Sequence, residues 1–259
     1  MTKYLHVTKQ MLLLQLQYKS FFLATLISML LKILVSLFVW KTIFASQSEV
    51  NGYSLATFTT YIIFANLLNN LNNFGIGRDL ARSIVRGDIT GELLYPYSPI
   101  TALFFQDFGL KIIEAGKFIL VLLVVPMVNP NFYLPDIKTL GIFVLTSLIG
   151  MFMVQLMDLG FGLLSFYTVN TWGLFILREG IFSLSAGVLL PLSFYPAPIA
   201  KLLSFLPYSF AVNFPITILL EKEVDPSLFW LQLIWAPLLA GLMYVLWQGA
   251  KKRLVIFGG

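Results

Sequence analysis

Six stretches of this chain stay apolar over about twenty residues each, the length a helix needs to cross the hydrocarbon core of a bilayer. They run Phe21–Trp40, Tyr53–Phe74, Ile112–Val128, Leu140–Phe161, Trp172–Leu190 and Leu228–Gly249. Lipid offers backbone amides no hydrogen-bond partner, so such stretches dictate helices, and the fold class is all-α integral membrane. Composition agrees: only 11% of the residues are charged, about half the share of a soluble domain. Ser46-Gln47-Ser48 resembles a cleavage site after the first stretch. The long leading segment, the internal Lys32 and the length of that stretch argue for a retained span instead.

An even number of spans puts both termini on one side, and the basic residues choose which. Lys3, Lys9, Lys19, Arg78, Arg82, Arg86, Arg178, Lys251, Lys252 and Arg253 fall on the side of the termini; Lys41, Lys138, Lys201 and Lys222 fall opposite. This asymmetry makes the termini cytoplasmic. The net charge of +5 is then an orientation signal, and a nucleic-acid partner has no support.

Two further apolar segments are not plausible spans. From Leu5 to Lys19, Leu5, Met11, Leu12 and Leu16 lie on one helical side and Lys3, Lys9, Gln10 and Gln17 on the other. That pattern suits a helix over residues 1–20 lying on the inner membrane surface, or an extension of the first span. From Leu189 to Pro226, the prolines at 191, 196, 198, 207 and 215 cut the chain into pieces too short to cross. Short re-entrant helices over 191–227, dipping into the outer leaflet, are expected. With no repeat or long linker, 1–259 reads as a single domain.

The charged island lies between the second and third stretches, within 75–99. Arg78, Arg82 and Arg86 recur every four residues and stack on one helical face; Ile76, Leu80 and Ile84 occupy the opposite one. Gly87 is placed to end this helix, Asp88 to cap the next turn, and Ser98-Pro99 to start the third span. Two faces and a sharp break suggest a docking element for a cytoplasmic partner; the plainer alternative is a basic loop that anchors topology.

The run Ser83–Pro99, SIVRGDITGELLYPYSP, resembles the loop between spans two and three of ABC-2-type exporter permeases, where Ile-x-x-Gly-Asp/Glu-Ile precedes Leu and Pro. Ile84, Gly87, Asp88, Ile89, Leu93 and Pro96 match that pattern. Leu190-Pro191, Tyr195-Pro196 and Leu206-Pro207-Tyr208 are similar to the family's external re-entrant region, and Phe257-Gly258-Gly259 to its C-termini. The resemblance implies a bacterial-type cell-membrane subunit, non-catalytic, paired with a second permease, identical or homologous, and with two ABC ATPase subunits. ATP and Mg would be bound by the ATPase, and no cofactor by this chain. Arg78, Arg82, Ile84, Arg86, Gly87, Asp88, Ile89 and Leu93 would dock the ATPase, with Ile76–Arg86 as a coupling helix and Asp88–Leu94 as a second short one. The chain has no phosphate-binding G-x-x-x-x-G-K-[ST] run: Gly116-Lys117 is followed by Phe118 and lacks the upstream glycine.

Polar residues inside the apolar stretches carry the remaining signal. Asn66, Asn69, Asn70 and Asn73 form one helical stripe, either lining a cargo pathway or bonding between helices. Asp107, Lys111, Glu114 and Lys117 are spaced to neutralise one another along one helix, the alternative being a proton or ion relay. Lys32 and Asp158 stand more alone, and are placed to pair with each other or to reach Glu114. The rival to an ATP-driven exporter is an ion-coupled secondary transporter using Lys32, Glu114 and Asp158. Met151, Met153 and Met157 suit core packing or a greasy cargo. Phe194, Tyr195, Phe205, Tyr208 and Phe210 suit an amphipathic cargo, lipid-like, drug or peptide, leaving outward. Zero cysteines and a single histidine, His6, leave no metal ligand set or catalytic triad.

Overall fold

The computed structural model describes residues 2–72, 75–128, 132, 135–168 and 170–257; Asn73, Phe74, Gly258 and Gly259 lie outside them. α1 (Thr2–Gln17) is separated from α2 (Lys19–Phe44) by Tyr18, whose φ of −91° and ψ of 64° leave the helical region. A hairpin of β1 (Glu49–Val50) and β2 (Tyr53–Ser54) follows. Its turn residues Asn51 and Gly52 both have positive φ, 48° and 72°, the turn that Asn-Gly favours. The Ser54 hydroxyl accepts the Thr57 amide and caps α3 (Leu55–Leu71). α4 (Ile76–Arg86) and α5 (Asp88–Glu92) lead into α6 (Pro99–Val128). α7 (Ile137–Leu163), continued by a 3-10 turn, precedes α8 (Thr171–Ser185). The proline-broken run forms a 3-10 turn (Leu192–Phe194), α9 (Ala197–Phe205), a second turn (Pro207–Ala211) and α10 (Asn213–Leu219), before α11 (Ser227–Phe257).

Among the described residues, three helical segments are long and apolar enough to cross a membrane: Lys19–Phe44, Ile137–Phe166 and Ser227–Lys252. α6 has the length, 30 residues, and carries four charges that are settled inside the fold. α3 and α8, at 17 and 15 residues, are shorter than expected from the apolar runs. The hairpin takes Tyr53 out of α3, and the chain turns after Ser185 through Gly187, at φ 82°. The helix that carries the third apolar stretch begins at Pro99, where Ser98-Pro99 predicts it, and runs without a break through Ile112, with Ser98 accepting the Thr101 amide.

α7 is the spine. It packs against α4 near its C-terminal end and against α10, α11 and the Pro207–Ala211 turn elsewhere. A Cβ on Gly150 would lie 2.0 Å from the Phe210 carbonyl oxygen, so the broken segment crosses α7 with backbones in contact. Gln232 of α11 donates to the Thr146 carbonyl at 2.7 Å, fixing a third element on the same helix.

α1 is a separate helix, packed on α6. Tyr4 stacks on Phe105 at 5.2 Å, the Thr8 hydroxyl donates to the Phe105 carbonyl at 2.8 Å, and Gly109 leaves room for the Thr8 backbone. The packed face is thus Tyr4, Thr8 and Met11; Leu5 and Leu16, expected beside Met11, point outward. The aromatic residues expected along an exit route largely serve the core. Tyr208 and Phe210 are buried edge-on against Phe182 and Phe214, and Phe194 packs on Trp40, Tyr53 and Phe58. Met153 is fully buried in the core as well.

Candidate coupling and pathway sites

α4 has the two faces its spacing predicts. Ile76 and Leu80 are buried, while Arg78, Arg82 and Arg86 stay exposed. Gly87 closes the helix in the left-handed region, φ 81°, with its amide on the Ile84 carbonyl at 3.1 Å. Asp88 differs from expectation: it is the first residue of α5, with Gly87 at the cap and no side-chain capping bond. Its carboxylate still faces the positive end of that short helix. The Ser83 hydroxyl donates to Glu92 at 2.9 Å and ties α4 to α5.

The island divides into an anchored and a presented part. Ile89 is 1% exposed and sits in a cluster with Ile76, Leu80, Met153 and Leu159, and Ile84 packs beside it. Both were expected to touch a partner; both instead hold the loop onto its own chain, because they continue the apolar face of α4. The arginines, Gly87, Asp88 and Leu93 remain exposed, joined by Val85, Tyr95 and Leu94, the last 87% exposed. Arg78 pairs with Glu179 of α8 at 3.3 Å and Arg82 with Asp79 at 3.2 Å. Such exposed pairs contribute about 0–1 kcal/mol and leave both arginines free to exchange partners. Burial raises the pKa of Asp79 above the ordinary carboxylate value, and the neighbouring Arg82 draws it partly back.

Beneath the loop, α4 and α7 touch backbone to backbone. A Cβ on Gly77 would stand 2.2 Å from the Asp158 carbonyl oxygen, and one on Gly162 would stand 2.7 Å from that of Gly77. The Gly77 amide donates to the Asp158 carboxylate at 2.8 Å. The same carboxylate meets the Arg178 guanidinium of α8 at 3.3 Å, with both side chains buried. Arg178 also lies over the Phe182 ring at 5.7 Å. Arg178, counted among the basic residues on the side of the termini, is 0% exposed: it is a core residue, there to neutralise Asp158. A buried charge is tolerated only beside an opposite one, and Asp158 has both the Arg178 guanidinium and the Gly77 amide against it. Among the expectations from sequence the Asp158–Arg178 pair was missed, since nothing local links residues twenty apart on two helices.

The α6 charges neutralise each other. Lys111 pairs with Asp107 at 3.4 Å and donates to the Leu71 carbonyl at 2.5 Å; Gln155 of α7 completes the Asp107 shell. Lys117 binds Glu114 at 2.6 Å and the Thr25 hydroxyl of α2 at 2.8 Å. These bonds stitch α6 to α2, α3 and α7. Lys32, Glu114 and Asp158 are therefore not brought together: Glu114 belongs to Lys117 and Asp158 to Arg178.

Lys32 faces elsewhere. It lines a cleft of about 790 Å³ with Ser28, Leu31, Val35 and Trp40 of α2, Asn66 and Asn69 of α3, and Ser183 and Leu189 near the end of α8. Asn66 and Asn70 do not bond between helices; each donates to a carbonyl of its own helix, Ile62 and Asn66, at 2.9 Å. Asn69 has no hydrogen-bond partner among the described residues, and Asn73 lies outside them. Asn72, off the stripe, is the amide that reaches another element, lying 3.4 Å from the Ala211 carbonyl. Lys32 sits at the midpoint of α2, where an unpaired lysine costs roughly 2.5–3.5 kcal/mol of membrane insertion.

Comparison with known proteins bears on the whole of this architecture. A search of curated proteins finds no match. A family model described as ABC-2 family transporter protein matches residues 30–258, which takes in α4, the spine helix, the proline-broken segment and most of the cleft lining. The chain therefore belongs to the ABC-2 transporter family, and is a multi-pass membrane component of an ABC transporter, a membership that implies association with ABC ATPase subunits.

Proposed function

We propose that this chain is the permease subunit of an ATP-driven exporter, forming half of a translocation pathway and coupled to separate ATPase subunits through residues 76–94. A second permease, identical or homologous, completes the pathway, both termini and the α4–α5 loop face the cytoplasm of a bacterial-type cell, and the cargo is amphipathic. One observation carries the reading. α4 offers Arg78, Arg82 and Arg86 outward while its other face is fixed to α7 through Gly77, Asp158 and Gly162. A load applied to the exposed face cannot be absorbed in a soft side-chain layer, because backbone contacts pass it to the spine. Packed interfaces of this kind shift as units.

Within the docking set, Arg82, Arg86, Gly87, Asp88 and Leu93 are available to the ATPase, and Ile84 and Ile89 fix the loop from below. Arg78 is shared with Glu179. ATP and Mg belong to the partner, and this chain contributes geometry rather than chemistry. The ion-coupled alternative needs Lys32, Glu114 and Asp158 to act together, and two of the three are engaged with other cations.

The test is co-purification with the ATPase, followed by the double substitution Arg82→Glu and Arg86→Glu. The expected outcome is a folded permease that loses ATPase binding or leaves ATP hydrolysis uncoupled from export. Full coupling in the double variant would remove the docking assignment, and uphill transport by the isolated chain on an ion gradient would remove the exporter reading.

A further inference from the structure

The geometry points to an anionic amphipath as the ligand of the cleft between α2, α3 and the end of α8, its charged group on Lys32 and its apolar part along the α2 wall. This deepens the proposed function and rests on reading that cleft as part of the cargo route.

Lys32 lies at the centre of a 26-residue apolar helix, roughly 20 Å from either end. A lysine side chain spans only about 6 Å, so it cannot carry its ammonium to either membrane surface by reaching along the helix. No carboxylate pairs with Lys32 among the described residues. A charge at that depth calls for an opposite charge or water beside it.

A like copy of this chain is a poor source of that charge. α2, α3 and α11 contain no acidic residue. The acids of α6 and α7 are each committed within the chain: Asp107 to Lys111, Glu114 to Lys117 and Asp158 to Arg178. Glu179 of α8 serves Arg78. A second copy pressing its own α2 against this one would add another Lys32, so the counter-charge has to arrive with something else.

A cleft of about 790 Å³ is of the size that holds a ligand of several tens of heavy atoms. Its walls are apolar at Leu31, Val35 and Trp40, and the Asn69 amide, without a hydrogen-bond partner among the described residues, has N–H groups that can donate to an anionic oxygen. One cation, one amide donor and an apolar wall describe a receptor for a headgroup such as a phosphate monoester or carboxylate joined to a hydrocarbon chain. A cationic amphipath would be repelled.

The test uses the full chain in phosphatidylcholine nanodiscs and 12-bromododecyl phosphate, whose bromine quenches tryptophan emission on contact. 12-Bromododecyl trimethylammonium is the cationic counterpart. Saturable quenching by the phosphate, lost in Trp40→Phe, is expected, with at least tenfold weaker binding in Lys32→Met and near-native binding in Lys32→Arg. Equal quenching by the cation, unchanged affinity in Lys32→Met, or quenching that survives Trp40→Phe would each overturn the inference. So would complete disulfide cross-linking of Lys32→Cys between two copies, since the chain has no other cysteine and a copy would then fill the cleft. Filling the cleft with Asn69→Trp separates this from the underlying reading. Export that stops in Asn69→Trp while the native cleft ignores anions keeps the route and defeats the inference. Export that continues while anion binding is lost keeps the anion site and defeats the route.

Discussion

The amide of Gly77 donates to the carboxylate of Asp158 at 2.8 Å, and the two backbones lie so close that a methyl group on Gly77 would stand 2.2 Å from the Asp158 carbonyl. The loop that carries the arginines is therefore bolted to the spine helix at a point where no side chain intervenes. Gly77→Ala should wedge α4 away from α7 and cost about 1–3 kcal/mol, the range for forcing extra atoms into a packed site. Gly91→Ala in α5 meets nothing within 4 Å and should leave stability unchanged or slightly improved. Thermal unfolding of the two variants in detergent reads the difference.

Asp158 has a second partner, Arg178, and their pair makes a sharper prediction. Asp158→Asn leaves a guanidinium buried without its counter-charge, a loss of about 3–5 kcal/mol. Asp158→Leu combined with Arg178→Met removes both charges and should recover most of that stability. The double variant still lacks the acceptor for the Gly77 amide, so α4 should exchange its amide hydrogens faster than native while the melting temperature is nearly restored. Hydrogen exchange on α4 equal to native would show that the carboxylate does not hold the loop.

Much of this site was legible in the sequence. The arginine and isoleucine faces of α4, the stop at Gly87 and the start at Ser98-Pro99 all follow from local spacing and backbone preference, and the structure has each of them. What failed were inferences about depth and distance. The family resemblance assigns Ile89 to the docking set, yet it continues the apolar face that buries Leu80. Arg178 entered the count of orientation charges because a hydropathy window cannot see Asp158 on another helix. The Gly77, Gly150 and Gly162 contacts were silent because a glycine gives the same letter whether it frees a turn or admits a neighbouring backbone. The hairpin at Asn51-Gly52 had a readable turn signal that the surrounding apolar stretch obscured.

Gly87 permits the break between α4 and α5 through its φ of 81°, and nothing within 4 Å would obstruct a side chain there. The cost of Gly87→Ala is thus purely conformational, about 1–2 kcal/mol for an L-residue in the left-handed region. Gly87→Asn should lose less than Gly87→Ala, because asparagine tolerates that region. An ordering of Ala below Asn below native in thermal stability checks the claim, and a reversed order would place the origin of the break elsewhere.

Asp79 gives the loop a pH dependence of definite sign. Its folded pKa is raised by burial, so the folded chain holds that proton more tightly than the unfolded one. Stability from this group is intact in acid and declines as pH rises from the ordinary value of 3.8 through the raised folded value. Asp79→Asn should flatten that decline while leaving the more acidic end of the profile unchanged. Urea or thermal midpoints measured across pH 4 to 7, at fixed lipid and detergent, report it. A steeper decline in the variant would mean that the Arg82 pair, rather than burial, governs this carboxylate.

The spine helix meets α4 through Gly162 and the proline-broken segment through Gly150, whose Cβ position lies 2.0 Å from the Phe210 carbonyl, and the proposed function has both contacts carry motion. If α7 transmits ATPase closure along its length, the two contacts should fail differently. Gly162→Ala disturbs the seat of α4 and should weaken ATPase association and export together. Gly150→Ala lies twelve residues away and pushes on Pro207–Ala211, a turn buried throughout, so ATPase binding should persist while export falls by tenfold or more. Each variant is measured by pull-down of the ATPase and by coupled transport in vesicles. Loss of ATPase binding in Gly150→Ala, with a melting temperature no lower than that of Gly162→Ala, would mean that the far contact shapes the docking face itself, and α7 would then be a scaffold held rigid at both ends instead of a lever.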